Sequence, residues 1–327
     1  MGENPGKKGW VEATITFWVL PRFLTRKNGS LWQISAKYQG QVLQNQGKAS
    51  FPMKLPSLIA SFLFLGGTVG TIWAQEVAGE KDQWSKIEDI RFVAECDKTV
   101  QNYVLMLPPK YRVDQPVDLL VALHGHGSDR WQFAKDGRPE CKAARDFARE
   151  KGMIYLCPDY RATTSWMGPK AEADMVQILW DLRKKHKTKR VFLTGGSMGG
   201  SSALTFAALH PELVAGVASM NGTANHLEYD QFQEAIAASF GGPKSRLAGE
   251  YKARSAEYWP ERLTMPIGFT TGGKDSLVPP QSCLRLAKVL RALGRDVLIL
   301  HRDQGGHETN LADARAILDF VYQKAKP

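Results

Sequence analysis

The sequence predicts an α/β fold, in which a mostly parallel sheet is flanked by helices. From about residue 87, short apolar and β-branched runs alternate with longer segments of helical periodicity. The run at residues 117–123 is almost continuously apolar, which is typical of a strand buried on both faces. Strands that alternate with helices in this way are joined by right-handed crossovers.

The predicted strands and helices follow one another to the end of the chain. Strands are predicted at residues 90–95, 101–107, 117–123, 153–157, 190–194, 214–219, 266–271 and 297–300. Helices are predicted at residues 140–151, 171–186, 200–210, 282–293 and 311–324. Proline and glycine set several of these ends, since Pro108 cannot continue a β ladder, Pro211 stops a helix and Gly294 ends another.

One long segment interrupts the alternation, at about residues 223–263 between the sixth and seventh strands. It contains six aromatic residues and the helix-breaking run Gly241-Gly242-Pro243. An insertion of this length is too long for a simple crossover. Two interpretations remain open: helices that cap the site or form a pocket wall, or a crossover helix with further packing around it.

The chain has a formal net charge of +10, which raises the question of an anionic partner. The excess lies in the first 74 residues, which carry eight Lys or Arg residues against two acidic ones. The remaining chain has a formal charge of only +4. We therefore expect no nucleic-acid partner.

Residues 53–74 have the pattern of a secretory signal peptide. Lys54 gives a basic start, residues 58–65 form an apolar middle, and the small residue Ala74 precedes a polar sequence. We predict that residues 1–52 are a non-native or disordered extension, and that residues 75–327 form one catalytic domain that is secreted or periplasmic and has no membrane span. The alternative is an uncleaved membrane anchor with a basic tail.

The four cysteines, Cys96, Cys141, Cys157 and Cys283, all lie in the predicted mature part. An even number in an exported protein permits one or two disulfides, and the sequence does not choose between the pairings. No Cys-x-x-Cys motif or Cys/His ligand spacing occurs, so no structural zinc site is expected.

The motif Gly195-Gly196-Ser197-Met198-Gly199 has the Gly-x-Ser-x-Gly pattern. It follows an apolar strand and precedes a helix, the context in which a strained turn lifts a serine hydroxyl above the edge of a sheet. Side chains in place of the glycines would collide with neighbouring backbone. We predict that Ser197 is a nucleophile; the alternative is a glycine-rich turn in which Ser197 only caps the helix.

A serine hydroxyl needs a base within hydrogen-bond reach and an acid that orients the base. His307 is the predicted base, because it lies in a Gly-Gly-His loop between the last strand and the last helix. Asp275, on the loop after the strand at 266–271, is the predicted acid and gives the chain order Ser, Asp, His. Asp303 is the competing acid, although it lies only a few residues from His307.

The segment His124-Gly125-His126-Gly127 follows the third strand, where a second oxyanion-hole donor is expected. We predict that the backbone N–H groups of Met198 and His126 stabilise the charge of a tetrahedral intermediate. The alternative is a metal site made by His124 and His126. No further ligand stands at a suitable spacing, so we expect no metal.

These residues and their order resemble the α/β-hydrolase superfamily. Within it they are similar to secreted single-domain esterases related to polyhydroxybutyrate depolymerases and to feruloyl or acetylxylan esterases, and to the catalytic domain of prolyl oligopeptidases. The resemblance spans about residues 89–322 and rests on Leu123-His124-Gly125, residues 195–200, residues 272–279 and Gly305-Gly306-His307. It implies an eight-stranded sheet and hydrolysis of esters or amides through an acyl-enzyme. No β-propeller precedes the domain, which favours an esterase, and no cysteine adjoins Ser197 or His307, unlike in the tannase-type feruloyl esterases.

We therefore predict a serine esterase that needs no cofactor and acts on a small-molecule or polysaccharide-linked ester. Loops after strands supply the predicted substrate-binding residues, Trp131, Tyr160, Arg161 and Trp166. The two tryptophans would alternatively only cover the core. Two other functions stay open: a prolyl-type peptidase, and a non-catalytic binding protein that keeps the fold.

Overall fold

The computed structural model describes residues 83–161 and 163–326. The predicted extension at 1–52 and the predicted signal peptide at 53–74 lie outside the described residues, as does the start of the predicted catalytic domain. Within the described part, no helix is both long and apolar enough to span a bilayer.

Eight strands form one sheet. They are β1 (Lys86–Val93), β2 (Val100–Leu107), β3 (Val117–Leu123), β4 (Ile154–Pro158), β5 (Thr188–Gly196), β6 (Gly216–Met220), β7 (Ile267–Gly272) and β8 (Val297–Arg302). Their order across the sheet is β1-β2-β4-β3-β5-β6-β7-β8. β2 pairs antiparallel with β1 and with β4, and all other neighbours are parallel. The prediction of a mostly parallel, eight-stranded sheet is confirmed.

Helices cover both faces of the sheet. They are α1 (Trp131–Lys135), α2 (Pro139–Glu150), α3 (Pro169–His186), α4 (Met198–Leu209), α5 (Gln233–Phe240), α6 (Lys244–Ala253), α7 (Gln281–Ala292) and α8 (Leu311–Lys324). Side chains of β3 alternate between two apolar cores. Leu119 and Val121 face the core that contains α3, α4 and α7, whereas Leu120 and Ala122 face the core that contains α1, α2 and α8. Burial on both faces explains the apolar run of this strand.

The segment between β6 and β7 holds two helices, α5 and α6, rather than one crossover helix. Several of its apolar side chains, among them Phe240 and Tyr251, are buried in the core that contains α3 and α4. Tyr229 Oη donates a hydrogen bond of 3.0 Å to the Leu277 carbonyl in the loop after β7. The segment also lines a cavity of about 250 Å³ together with Gln281. The segment therefore packs into the core and forms the wall of a cavity, although that cavity is not the one that Ser197 and His307 line.

All four cysteines of the described residues are free thiols. Cys96 is exposed, and Cys141, Cys157 and Cys283 are buried. Burial raises the pKa of Cys141 and of Cys283 to about 12, so these two thiols stay protonated at neutral pH. Because all four thiols are free, the described residues contain no disulfide, although the even number of cysteines permits one or two.

Candidate active site

Ser197 occupies a sharp turn between the end of β5 at Gly196 and the start of α4 at Met198. Its φ of 59° and ψ of −120° are values that residues with a side chain rarely adopt. The Ser197 N–H donates to the Met220 carbonyl at 2.8 Å, and the Ser197 carbonyl accepts from the Ser201 N–H at 3.0 Å. Backbone strain of this kind costs about 1–3 kcal/mol and persists where the surrounding structure fixes it, most often at functional sites.

Glycines flank Ser197 because neighbouring backbone lies too close for a side chain. A Cβ atom at Gly195 would lie 2.6 Å from the carbonyl oxygen of Leu123, the last residue of β3. A Cβ atom at Gly199 would overlap the same oxygen. This close approach is the physical reason for the Gly-x-Ser-x-Gly pattern, and it brings the loop after β3 next to Ser197.

His307 and Asp275 form a hydrogen-bonded pair on the loops that follow β8 and β7. His307 Nδ1 lies 2.7 Å from Asp275 Oδ2. Asp275 Oδ1 accepts hydrogen bonds from the backbone N–H groups of Leu277 (3.0 Å) and Val278 (2.8 Å). Burial by itself raises the pKa of Asp275, but the bond to His307 and the two backbone bonds outweigh burial and hold this pKa below its usual range. Asp275 is therefore a carboxylate that accepts a hydrogen bond from the N–H group at His307 Nδ1.

Ser197 and His307 line the same small cavity, whose volume is about 70 Å³. Because His307 Nδ1 is turned towards Asp275, Nε2 is the nitrogen left to take a proton from Ser197. No hydrogen bond joins Ser197 Oγ to His307 among the described residues, and such catalytic bonds commonly tighten only when substrate binds. Asp303, the competing acid, is exposed and lies 3.3 Å from His301 instead. The structure thus brings the three predicted catalytic residues together.

Two backbone N–H groups, one next to Ser197 in the chain and one on the loop after β3, have no acceptor in the described part of the chain. Met198 is the first residue of α4, so its N–H belongs to the unpaired set at the N-terminus of a helix. The His126 N–H lies on the loop after β3. The ring of His126 is held by other side chains, since its Nδ1 accepts from Trp166 Nε1 at 3.2 Å and its centre lies 4.3 Å from that of Phe232. Both N–H groups are therefore free to serve as the predicted oxyanion donors.

Backbone carbonyl oxygens face both ring nitrogens of His124, one of the two residues of the alternative metal site. These two ring nitrogens lie 2.9 and 3.1 Å from the carbonyl oxygens of Gly125 and Asp159. Among the residues that the structure describes, no three or more His, Cys, Asp or Glu side chains are grouped to hold a metal ion.

A family model described as the alpha/beta hydrolase fold matches residues 118–250, which include Ser197. The chain has the alpha/beta hydrolase fold. The matched segment ends before Asp275 and His307, so the pairing of these two residues is known from the structure alone. No match to the sequence was found among curated proteins.

Two peptidases of known structure share the alpha/beta hydrolase fold with this chain. Acylaminoacyl peptidase of Pyrococcus horikoshii gives a TM-score of 0.58 at 16% identity, over 75% of this chain and 42% of that chain. Dipeptidyl peptidase 4 of Porphyromonas gingivalis gives a TM-score of 0.58 at 13% identity, over 74% of this chain and 36% of that chain. This hydrolase-fold chain therefore spans about two fifths of the length of these enzymes.

A third similar structure is FphF, a fluorophosphonate-binding serine hydrolase of Staphylococcus aureus. The TM-score is 0.56 at 16% identity, over 72% of this chain and 98% of that chain. The alpha/beta hydrolase fold described above thus corresponds to almost the whole of this shorter protein. At such low identities, all three likenesses show the fold alone.

Two of the four predicted substrate-binding residues of this hydrolase-fold chain are core residues. Tyr160 is 2% exposed and Trp166 is fully buried. Tyr160 Oη donates to the His124 carbonyl at 2.5 Å, and the Trp166 ring packs against those of His126 and Tyr229. Large aromatic rings gain stability from burial in the core, and the contacts of these two side chains are with protein groups. The structure places both residues in the core, where they support the loop after β3, instead of at the cavity that holds Ser197, and it gives no support to a substrate-binding role for either.

Arg161 and Trp131 also have structural partners. The guanidinium of Arg161 pairs with Asp97 at 2.8 Å and with Asp174 at 2.5 Å. Trp131 is half-buried at the start of α1, and Lys135 Nζ lies 3.8 Å from its ring centre. Neither Arg161 nor Trp131 lines the cavity that holds Ser197 and His307. We therefore assign both residues to the support of the fold.

Replacing Arg161 with Ala is expected to lower the free energy of unfolding by about 3 kcal/mol while leaving KM for an ester nearly unchanged. The reason is that Asp174, whose side chain is only 1% exposed, would keep a buried charge without its partner. Urea unfolding followed by circular dichroism measures this loss. Arg112→Ala is the matched control, because Arg112 pairs with an exposed carboxylate and should matter little. A higher KM without a loss of stability would restore the substrate-binding role of Arg161.

Sequence reasoning missed several residues of the cavity. Its wall also contains Gln132, Phe133, Arg138, Glu140, Asn221 and Thr309. Asn221 directly follows β6, and its Nδ2 donates to the Gly306 carbonyl at 3.4 Å, beside His307. A polar residue just after a parallel strand lies at the edge of the sheet where ligands bind, and this was the signal that could have found it.

Proposed function

We propose that this protein is a serine hydrolase that cleaves carboxylic esters through an acyl-enzyme. The observation that carries the proposal is the placement of Ser197 and His307 on one cavity, with Asp275 hydrogen-bonded to the opposite nitrogen of His307. A serine on a strained turn, a base and an orienting carboxylate form the arrangement that activates a hydroxyl group. These groups act without a cofactor.

In the proposed reaction, Ser197 Oγ attacks the acyl carbon while His307 Nε2 takes the hydroxyl proton. The N–H groups of Met198 and His126 stabilise the negative charge that develops on the acyl oxygen. His307 then donates its proton to the leaving alcohol, and the acyl group remains bonded to Ser197. Water, deprotonated by the same imidazole, attacks the acyl carbon, releases the acid and restores Ser197. Asp275 orients the imidazole and stabilises its charged form in both steps.

The size of the cavity supports a short acyl group. Its volume of about 70 Å³ is far below the roughly 300–1,000 Å³ of pockets that enclose drug-sized ligands. An acetyl or butyryl group therefore suits the space beside Ser197 better than a feruloyl group. The alcohol part, small or linked to a polysaccharide, would remain outside this cavity.

A peptidase is the second candidate, and it is favoured by the similarity to two peptidases of known structure. The same three residues cleave an amide by the same steps. An amine is a poorer leaving group than an alcohol, so amide cleavage depends more strongly on proton donation by His307. Acyl esters and aminoacyl amides therefore separate the two candidates.

Fluorophosphonate labelling combined with a substrate panel tests the proposal. We expect labelling at Ser197, because the reagent forms a stable bond with an activated serine. We also expect hydrolysis of acetyl and butyryl esters, slower hydrolysis of feruloyl esters, and no cleavage of Gly-Pro or other aminoacyl amides. Amide cleavage at a kcat/KM comparable with that of the esters would favour the peptidase. A folded protein that is neither labelled nor active would favour a non-catalytic binding protein.

A further inference from the structure

Gln132, in the short helix α1, connects the loop after β3 to the cavity that holds Ser197. Its side chain is half-buried and lines this cavity together with Ser197 and His307. Its Oε1 accepts a hydrogen bond of 2.7 Å from the Gly125 N–H. The proposed reaction of Ser197, His307 and Asp275 gives the Gln132 side chain no role.

The bond to Gly125 fixes the orientation of the Gln132 amide. A backbone N–H group is only a donor, so the atom that faces it is the carbonyl oxygen, and the Nε2 group occupies the other branch. A Cβ atom on Gly125 would lie 3.7 Å from Oε1 and 3.8 Å from Nε2, so the amide group lies against the loop after β3. Nε2 makes no hydrogen bond with any residue that the structure describes.

An amide donor that lines the same cavity as a nucleophilic serine is suited to a negative charge that develops there during reaction. In the tetrahedral intermediate the former carbonyl oxygen carries this charge, and a donor already in place stabilises it more than it stabilises the neutral substrate. Side-chain amides act in this way as well as backbone N–H groups. We propose that Gln132 Nε2 donates a hydrogen bond to the oxyanion and is a catalytic residue, an inference that rests on the proposed function.

Gln132 also positions the loop after β3 through its other end. Oε1 accepts the hydrogen bond of the Gly125 N–H, so this N–H is not available to another acceptor. The same bond holds the loop that carries the His126 N–H. Positioning and oxyanion donation belong to opposite ends of one amide. Substitutions that keep one end and remove the other therefore separate the two roles.

Gln132→Glu keeps the acceptor for Gly125 and removes the donor at neutral pH. We expect kcat for an acetyl ester to fall by about 10²- to 10³-fold, with KM little changed. Methionine has neither the acceptor nor the donor of the amide and carries no charge. Gln132→Met should therefore lose at least as much activity as Gln132→Glu. If positioning of Gly125 were the whole role, the Met variant would lose activity and the Glu variant would not.

The pH profile of Gln132→Glu gives a readout that a purely structural role would not change. A protonated glutamic acid regains an O–H donor. The ratio of variant to wild-type kcat should therefore rise as the pH falls towards the ordinary glutamate pKa of about 4.3. The ratio is the readout because any loss of activity that both proteins share at low pH cancels in it.

Gln177→Glu is the matched control for the change from amide to carboxylate. Gln177 Oε1 also accepts a backbone hydrogen bond, from the Glu95 N–H at 2.8 Å, and Gln177 is not part of the cavity that holds Ser197. A Gln132→Glu variant with wild-type kcat, or a kcat ratio that stays flat from about pH 4 to pH 8, would overturn the inference. If the wild-type protein is labelled at Ser197 and hydrolyses esters, either of these results leaves the proposed function intact. If the wild-type protein is neither labelled nor active, the proposed function itself is refuted.

Discussion

Ser197→Ala is expected to lower kcat for ester hydrolysis by about 10⁴-fold or more. The hydroxyl oxygen is the atom that bonds to the acyl group, and no other side chain on the strained turn can replace it. Steady-state kinetics on an acetyl ester measure the loss. Mass spectrometry of the protein during turnover should show a mass increase of one acyl group in the wild type and none in the variant.

The fold of the Ser197→Ala variant should be unchanged. Alanine keeps the Cβ atom at the same φ and ψ, and both backbone hydrogen bonds of the turn remain. Ser202→Ala is the matched control, because Ser202 lies on the same helix and its buried Oγ has no hydrogen-bond partner in the described structure. We expect the control to keep wild-type kcat. A Ser197→Ala variant that retains a tenth or more of wild-type turnover would exclude Ser197 as the nucleophile.

The parts of the fold that the sequence predicts best are those that local interactions determine. Helix α8 covers Leu311–Lys324, the residues predicted for it. Its start is set by Asn310, whose side chain accepts a hydrogen bond of 2.9 Å from the Asp313 N–H within the same turn. Strand β3 also covers the residues predicted for it, because a strand that is buried on both faces has a continuous apolar run in its sequence.

The parts that differ depend on contacts with distant residues. β5 was predicted to end at Thr194, since glycines are typical of turns, but it continues to Gly196 because Gly195 and Gly196 pair with residues of β6. Helix α1 was not predicted. It has five residues, too few to show a helical period, although it carries Gln132 into the candidate site.

The candidate site divides in the same way. Ser197, Asp275 and His307 stand on loops at one edge of the sheet, and motif and chain order were enough to select them. The wall of the cavity was not predictable, because it depends on the direction in which each loop side chain points. Trp166 and Gln132 both follow strands at this edge, yet Trp166 points into the core and Gln132 lines the cavity. The sequence predicts substrate binding for Trp166 and not for Gln132.

Asp275→Asn is expected to lower kcat by about 10³- to 10⁴-fold while leaving the loop after β7 in place. The asparagine oxygen can still accept the N–H groups of Leu277 and Val278. Its amide group, however, would donate to His307 Nδ1, which favours the tautomer with the proton on Nε2. An imidazole in that form cannot take a proton from Ser197.

The effect of pH on stability gives an independent check of Asp275. The pKa of Asp275 is lower in the folded protein than its ordinary value, so the carboxylate stabilises the fold above the ordinary value, and this contribution is lost as the pH falls through the folded value. The wild type should therefore be more stable than Asp275→Asn at neutral pH, and the difference should shrink below about pH 4. Urea unfolding of both proteins across this range measures the difference.

Asp303→Asn is the matched control, since Asp303 is the other acid near the last strand and lies beside His301 instead of His307. It removes one negative charge from the same edge of the sheet without touching the hydrogen bond between Asp275 and His307. If orientation of the imidazole is what Asp275 supplies, Asp303→Asn keeps its activity while Asp275→Asn loses it. If both variants lose activity equally, the negative charge of the region matters more than the bond at 2.7 Å, and the assignment of Asp275 as the orienting acid is wrong.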